Sequence, residues 1–203
     1  MIQQTIELKK IAGISIILYS VLYWFATAIV NIPTELMLYK TGTVISIVSA
    51  FWLYFDRIGW RQNAFCLAGW LCDIPDLNGR WEGKIDRVGE SSPHLFVMEI
   101  VQTYRTVTIN TYTENSRGVS TTTNWIIDSA NRKYQLYTSW KCQANIPGTD
   151  EPEHFHGFSF CHLSYINNQK CLESNYFTDR NPRTKGNCKV VFVSKSLQGG
   201  YQK

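Results

Sequence analysis

The sequence predicts a membrane-anchored all-β protein, in which a hairpin of two transmembrane helices precedes an eight-stranded antiparallel up-and-down β-barrel. Two long apolar runs occupy the first 55 residues, as expected of membrane spans. After Gly79 the apolar residues instead alternate with polar ones in short segments that turn residues separate. A chain of 203 residues has room for one such membrane element and one soluble domain of average size.

The first apolar run predicts a helix over residues 11–32. No charged residue occurs between Ile11 and Thr34, and a helix of about 22 residues covers about 33 Å, roughly the thickness of a hydrocarbon core. The run is too long for a cleaved signal peptide, and a second apolar run follows it directly.

The second apolar run predicts a helix over residues 36–55. It is shorter, but Lys40 can extend its ammonium group toward the membrane surface and so lengthen the span. Asn31, Pro33 and Glu35 predict a tight turn between the runs, because proline lacks a backbone donor and disfavours helix in the preceding residue. Together the two runs define a transmembrane region over residues 1–57.

The basic residues near the helix ends predict the orientation. Lys9 and Lys10 precede the first helix, Lys40 lies near the turn, and Arg57 and Arg61 follow the second helix. Because cytoplasmic segments carry the excess of lysine and arginine, we expect both termini and the domain after the helices to be cytoplasmic. In that reducing compartment the six cysteines are expected to be free thiols.

Residues 58–76 are predicted to form an interfacial linker, and residues 77–203 a separate β-barrel domain. Trp60 and Trp70 flank an apolar but interrupted stretch, as in a helix that lies in the membrane interface. The stretch could equally extend the second span. Asp73, Pro75 and Asp76 then end any helix.

Eight alternating segments follow, and their short connections favour an antiparallel meander. Alternation puts Trp81, Gly83 and Ile85 on the predicted inner face. A closed barrel of about eight strands either fills with side chains or holds one small ligand, and the many threonines of the middle strands favour a polar ligand. The segments begin at Gly79, His94, Thr106, Gly118, Lys133, Phe155, Lys170 and Gly186.

The C-terminal region is predicted to contact an anion. No acidic residue follows Asp179, whereas six lysines and arginines do; such an excess favours an anionic partner, although exposed lysines are also typical of ordinary solvated surface. Tyr176, Thr178 and Arg180 share one strand face. A ring, a hydroxyl and a guanidinium suit a nucleotide through stacking and bidentate phosphate contacts, although Tyr176 could also be an ordinary core residue.

Further candidates lie on strands that are expected to line the same cavity. Each of them could equally be a packing or surface residue. They are Tyr104, Tyr112, Arg117, Asn124 and Trp140.

The sequence gives no sign of catalysis. It contains no nucleophile elbow, phosphate-binding glycine loop or HExxH motif, so we expect neither an enzyme nor a cofactor. His162 lies six residues beyond His156, about 20 Å along a strand, which argues against a metal site that joins it to His154 and His156. A two-histidine site completed by Glu151 or Glu153 is the alternative.

The order of the parts resembles one known family. Two spanning helices, the segment "LCDIPDLNGRWEG" and a meander that contains "YFTDRNPRTKG" are similar to the two-transmembrane β-barrel effectors of bacterial cyclic-oligonucleotide anti-phage signalling systems (CBASS), also described by a SMODS-associated two-transmembrane β-strand-rich domain. The "GRWEG" segment alone also resembles the Gly-x-Trp opening of lipocalin-like barrels, so the barrel is expected to be a minimal lipocalin-like one.

The resemblance implies a function. In that family the barrel senses a cyclic dinucleotide from a partner nucleotidyltransferase (CD-NTase), and the helices then form homo-oligomers, disrupt the bacterial inner membrane and kill the infected cell. It implies ligand contacts at Tyr176, Thr178 and Arg180, and Tyr104, Arg117 and Trp140 complete the predicted set. No DNA or RNA polymer is expected as a partner. The alternatives are a membrane-tethered lipocalin-like carrier of an apolar small molecule and a structural membrane protein whose barrel packs against a partner.

Overall fold

The computed structural model describes residues 2–29, 33, 36–62, 71–128, 133–145 and 153–201. The chain divides into two compact units, Met1–Asp73 and Ile74–Lys203. The first unit contains helix α1 (Ile2–Ala28), helix α2 (Met37–Arg57) and a 3-10 turn (Gly59–Arg61). The predicted turn at residues 31–35 lies outside the described residues except for Pro33, and residues 63–70 of the predicted interfacial linker 58–76 lie outside them as well.

Helices α1 and α2 are candidate membrane spans by length and hydropathy, over Leu8–Ala28 and Met37–Arg57. Polar contacts join them within the described residues. Trp52 Nε1 donates a hydrogen bond to Ser15 Oγ at 2.9 Å, and Lys40 Nζ donates one to Thr27 Oγ1 at 3.1 Å. The Lys40 side chain is buried, and the hydrogen bond to Thr27 joins its ammonium group to α1.

The cysteines correct one expectation. Cys72 forms a disulfide, so the prediction that all six cysteines are free thiols is wrong, because spacing in the sequence does not reveal which side chains approach each other. Cys142, Cys161, Cys171 and Cys188 of the barrel are free and buried.

The second unit is a closed antiparallel barrel in which each strand pairs with the next and β8 pairs with β1. The predicted eight-stranded antiparallel barrel is therefore confirmed. Its strands are β1 (Gly79–Arg87), β2 (His94–Gln102), β3 (Val107–Tyr112), β4 (Ser116–Asp128), β5 (Lys133–Ala144), β6 (Glu153–Ile166), β7 (Gln169–Thr178) and β8 (Lys185–Ser194).

Apolar side chains fill one end of the barrel. The indole of Trp81 is fully buried, donates a hydrogen bond to the Leu77 carbonyl oxygen at 2.9 Å and meets the Phe192 ring edge-on at 5.5 Å between centroids. Leu77 is also fully buried, and its N–H donates to the Gln102 side chain at 2.8 Å. The segment before β1 thus closes this packed end, and Ile85 contacts the same core, as its strand face predicts.

A buried ion pair ties the C-terminal segment to the outside of the barrel. Arg80 Nη1 lies 3.0 Å from Glu99 Oε1, and the two side chains are 1% and 3% exposed. The Glu99 carboxylate also accepts hydrogen bonds from the backbone N–H groups of Gln198 and Gly199, and Arg80 donates to the Gly200 carbonyl oxygen. Every charge in this cluster is therefore paired.

We expect Glu99→Gln to lower the free energy of unfolding by roughly 3 kcal/mol, because it leaves Arg80 with less compensation in a buried site and weakens the hold on the C-terminal segment. Chemical denaturation of the full chain in detergent, followed by near-ultraviolet circular dichroism, measures the change. Glu82→Gln is the matched control, because Glu82 also pairs with Arg80 but its side chain is 44% exposed, so its loss should cost at most about 1 kcal/mol. Equal effects of the two substitutions would contradict this account.

Candidate functional site

The end of the barrel opposite Leu77 and Trp81 contains a cavity that is open to solvent. Its volume is about 80 Å³, about the room that a few water molecules need, so a larger solute enters only when the lining side chains move. The lining comes from all eight strands and from the loop between β7 and β8. Pairing between the strands arranges the lining in rows that run around the barrel.

The floor of the cavity is made of small side chains from β6, β7 and β8. Ser174 pairs across the sheet with Cys188 on one side and with Cys161 on the other. Burial raises the pKa of the Cys161 thiol to about 12 and raises the pKa of the Cys188 thiol as well. Both thiols are therefore protonated and uncharged at neutral pH, which suits their contact with the apolar core.

Above the floor runs a row of hydroxyl groups. Tyr176 pairs with Ser159, and Ser159 pairs with Thr138. Both side chains line the cavity. The hydroxyl of Thr138 is buried and has no hydrogen-bond partner among the described residues; the hydroxyl of Tyr176 is buried as well, and the Arg87 side chain lies within hydrogen-bonding reach of it. Burial raises the pKa of the Tyr176 phenol, and the nearby Arg87 guanidinium opposes that rise. This row can satisfy polar atoms of a ligand.

Trp140 on β5 forms a flat wall of the cavity. Its Nε1–H donates to Ser159 Oγ at 2.8 Å, and its ring meets that of Phe155 edge-on at 6.1 Å. Its cross-strand partner is Gly157, where an added Cβ would lie 2.2 Å from Trp140 Cζ2. The indole therefore lies across a position that only glycine leaves open.

Arg180 stands at the rim, just after β7. Its guanidinium carbon lies 4.6 Å from the centroid of the Phe155 ring, and it binds the Glu153 carboxylate in a bidentate ion pair, with one bond of 3.1 Å from Nε and a second from Nη2. Both side chains are about a quarter exposed, at 24% and 25%. The Phe155 ring and the Glu153 carboxylate therefore orient the Arg180 guanidinium, and Arg180 also lines the cavity.

Thr178 fixes the loop that carries Arg180. Its Oγ1 lies 2.7 Å from Thr184 Oγ1, and its backbone N–H donates to the Thr184 carbonyl oxygen at 2.9 Å. At the outer side of this loop, Asp179 accepts a hydrogen bond from the backbone N–H of His156, which lowers the pKa of the Asp179 carboxyl group. The Thr178 hydroxyl thus already has a partner within the loop.

Four of the predicted site residues come together here: Trp140, Tyr176, Thr178 and Arg180 all line the cavity. Tyr104 and Arg117 are not among its lining residues. Tyr104 lies in the turn between β2 and β3, next to Gln102, which contacts the segment that closes the packed end. Arg117 is exposed on β4, where alternation points it away from the interior.

The cavity also contains residues that were not predicted. Arg87, Thr138 and Phe155 line it. Arg87 follows Trp81 at an even spacing along β1, so the period of two already contained the signal for it.

Of the C-terminal cations, Lys189 pairs with Glu173 and Lys195 with Asp76 at the surface. In the described part of the chain, no group of three or more His, Cys, Asp or Glu side chains could hold a metal ion.

Comparison with known proteins identifies the barrel region. A family model described as "Cap15, cyclic dinucleotide receptor domain" matches residues 72–191, a range that begins before β1 and ends within β8. No curated protein matches the chain.

Gly157→Ala tests the position of the Trp140 wall. We expect the new methyl group to turn the indole away from Ser159, to shift the Trp140 indole N–H resonance and to cost roughly 1–3 kcal/mol of stability through overpacking. The control is Gly200→Ala, where an added Cβ meets nothing within 4 Å. An unchanged Trp140 resonance in Gly157→Ala would contradict the contact.

Proposed function

The chain belongs to the Cap15 family of cyclic dinucleotide receptor domains of CBASS effectors, and from that premise we propose that the open half of its barrel binds the cyclic dinucleotide. The proposed contacts are Trp140, Tyr176, Thr178 and Arg180; Tyr104 and Arg117 are not part of the proposed site. The supporting observation is the convergence of these four side chains on one cavity together with Thr138, whose buried hydroxyl has no partner among the described residues. Such a group costs about 1–3 kcal/mol when it is left unsatisfied, so a ligand that satisfies it recovers free energy on binding.

The chemistry of the lining suits the parts of such a ligand. Nucleobases stack on aromatic faces at a gain of about 1–3 kcal/mol each, and Trp140 offers such a face. A guanidinium has five N–H donors, and Glu153 engages the donors of two Arg180 nitrogens, which leaves donors for a phosphate. The chain acts by binding rather than by catalysis, and it needs no cofactor.

Arg180→Ala tests this site. We expect it to weaken the binding of a cyclic dinucleotide by about 10- to 100-fold, since a hydrogen bond to a charged group contributes about 1.5–3 kcal/mol. Isothermal titration calorimetry of the full chain in detergent, with cyclic dinucleotides of adenosine, guanosine and uridine, measures the affinity. Arg117→Ala is the matched control, because Arg117 is an exposed barrel arginine outside the cavity. A folded wild-type chain that binds none of the panel, or an Arg117→Ala loss equal to that of Arg180→Ala, would contradict the proposal.

The membrane helices are the proposed effector part. We propose that the chain is a multi-pass protein of the bacterial inner membrane, with both termini and the barrel in the cytoplasm, where a partner CD-NTase supplies the ligand. Gly42, Ser46 and Ala50 recur every four residues on α2 and are exposed, whereas Val44 is buried. Small residues of this kind permit close contact between helices of neighbouring chains, so we propose that homo-oligomers form through this face of α2.

Ligand binding must favour the assembled form for this coupling to work. A shift from about 1% to 99% assembled requires a preference of roughly 5.5 kcal/mol, which several barrels in one oligomer can supply together. The assembled helices then disrupt the membrane, and the infected cell dies before the phage multiplies.

Gly42→Leu tests the effector step, because a large side chain on the small-residue face of α2 keeps neighbouring helices apart. In vesicles that contain the full chain and a fluorescent dye, we expect a cyclic dinucleotide to release the dye with wild type, and Gly42→Leu to lose this response while it keeps ligand affinity. Ile45→Leu, a volume-conserving change at an exposed position of the same helix, is the control and should respond like wild type. Dye release by wild type without ligand would contradict control by the barrel.

A further inference from the structure

A second arginine, Arg87, lines the cavity from β1, which lies on the other side of β8 from the Tyr176 strand. Arg87 is the last residue of β1 and lines the cavity. Its cross-strand partner is Gly186, and Gly186 in turn pairs with Tyr176. Because an added Cβ at Gly186 would lie 3.0 Å from Tyr176 Cε1, no side chain separates Arg87 from the Tyr176 ring.

Arg87 and Arg180 act on the same interior. Burial raises the pKa of the Cys142 thiol, and both guanidinium groups oppose that rise through their charge. Cys142 itself lines the cavity, on β5 between Ala144 and Trp140. The two cations therefore approach the same cavity, one from the end of β1 and one from the end of β7.

Arg87 forms an exposed ion pair with Glu90, and another anion can readily take the place of that carboxylate. Arg87 Nη1 lies 3.3 Å from Glu90 Oε1, and the two side chains are 29% and 41% exposed. A pair of this exposure contributes at most about 1 kcal/mol. Glu90 also contacts His94, so it keeps a partner when Arg87 turns to another anion.

We propose that Arg87 binds a second phosphate of the ligand, so that the cavity selects molecules with two phosphate groups over those with one. This inference rests on the proposed function of the same site. Arg180 binds one phosphate at the rim, Arg87 binds the other, and the Tyr176 hydroxyl, which lies within reach of Arg87, donates to the phosphate at Arg87. A ligand with a single phosphate can use only one guanidinium at a time.

Selectivity between two probes tests the inference. Calorimetry of the full chain in detergent compares the tightest-binding cyclic dinucleotide of the panel with cyclic adenosine monophosphate, which has one phosphate. We expect Arg87→Ala to weaken dinucleotide binding by about 10- to 100-fold and to change mononucleotide binding by no more than about 2-fold, since Arg180 remains for a single phosphate. Arg87→Lys, which keeps the charge but loses the bidentate geometry, should fall between wild type and Arg87→Ala.

The control is Lys84→Ala, because Lys84 is an exposed cation on the same strand and its loss should change neither affinity. Unchanged dinucleotide affinity in folded Arg87→Ala, or equal losses for both probes, would overturn the inference while wild-type binding still upheld the proposed function. A folded wild type that binds no cyclic dinucleotide would overturn both.

Discussion

Closure of β1 onto β8 is the constraint on which the rest of the barrel depends. At this seam two glycines let the backbones approach: an added Cβ would lie 2.0 Å from the Lys189 carbonyl oxygen at Gly83, and 1.9 Å from the Asp86 carbonyl oxygen at Gly186. A side chain at either position would push the strands apart. Closure leaves no free sheet edge, and it determines which residue of every strand faces the interior.

The closed interior then divides into two halves with different roles. Leu77 and Trp81 are fully buried at one end, where apolar burial supplies stability at about 25 cal/mol per Å². At the other end hydroxyls, aromatic rings and guanidinium groups leave a cavity, and the buried Thr138 hydroxyl lacks a partner among the described residues. Because the packed end supplies stability, the open end can keep polar groups that face the cavity.

The sequence predicted the architecture well because its signals are local. Hydropathy marks α1 and α2, and a period of two assigns Trp81 to the interior and Tyr176 and Arg180 to a common face. The complete site depends on register between strands, which the sequence does not contain. The period of two turns Arg117 outward and Arg87 inward, but only the pairing of Arg87 with Gly186 places Arg87 at the mouth of the cavity.

The most direct test of a barrel with one packed and one binding half uses its own tryptophans. Trp140 lines the cavity, whereas Trp81 belongs to the packed core, so their indole N–H resonances report on the two halves separately. On saturation of the full chain with a cyclic dinucleotide, the account predicts a large shift for Trp140 and almost none for Trp81. A shift confined to Trp81, or no shift at Trp140 when calorimetry shows the ligand bound, would contradict it.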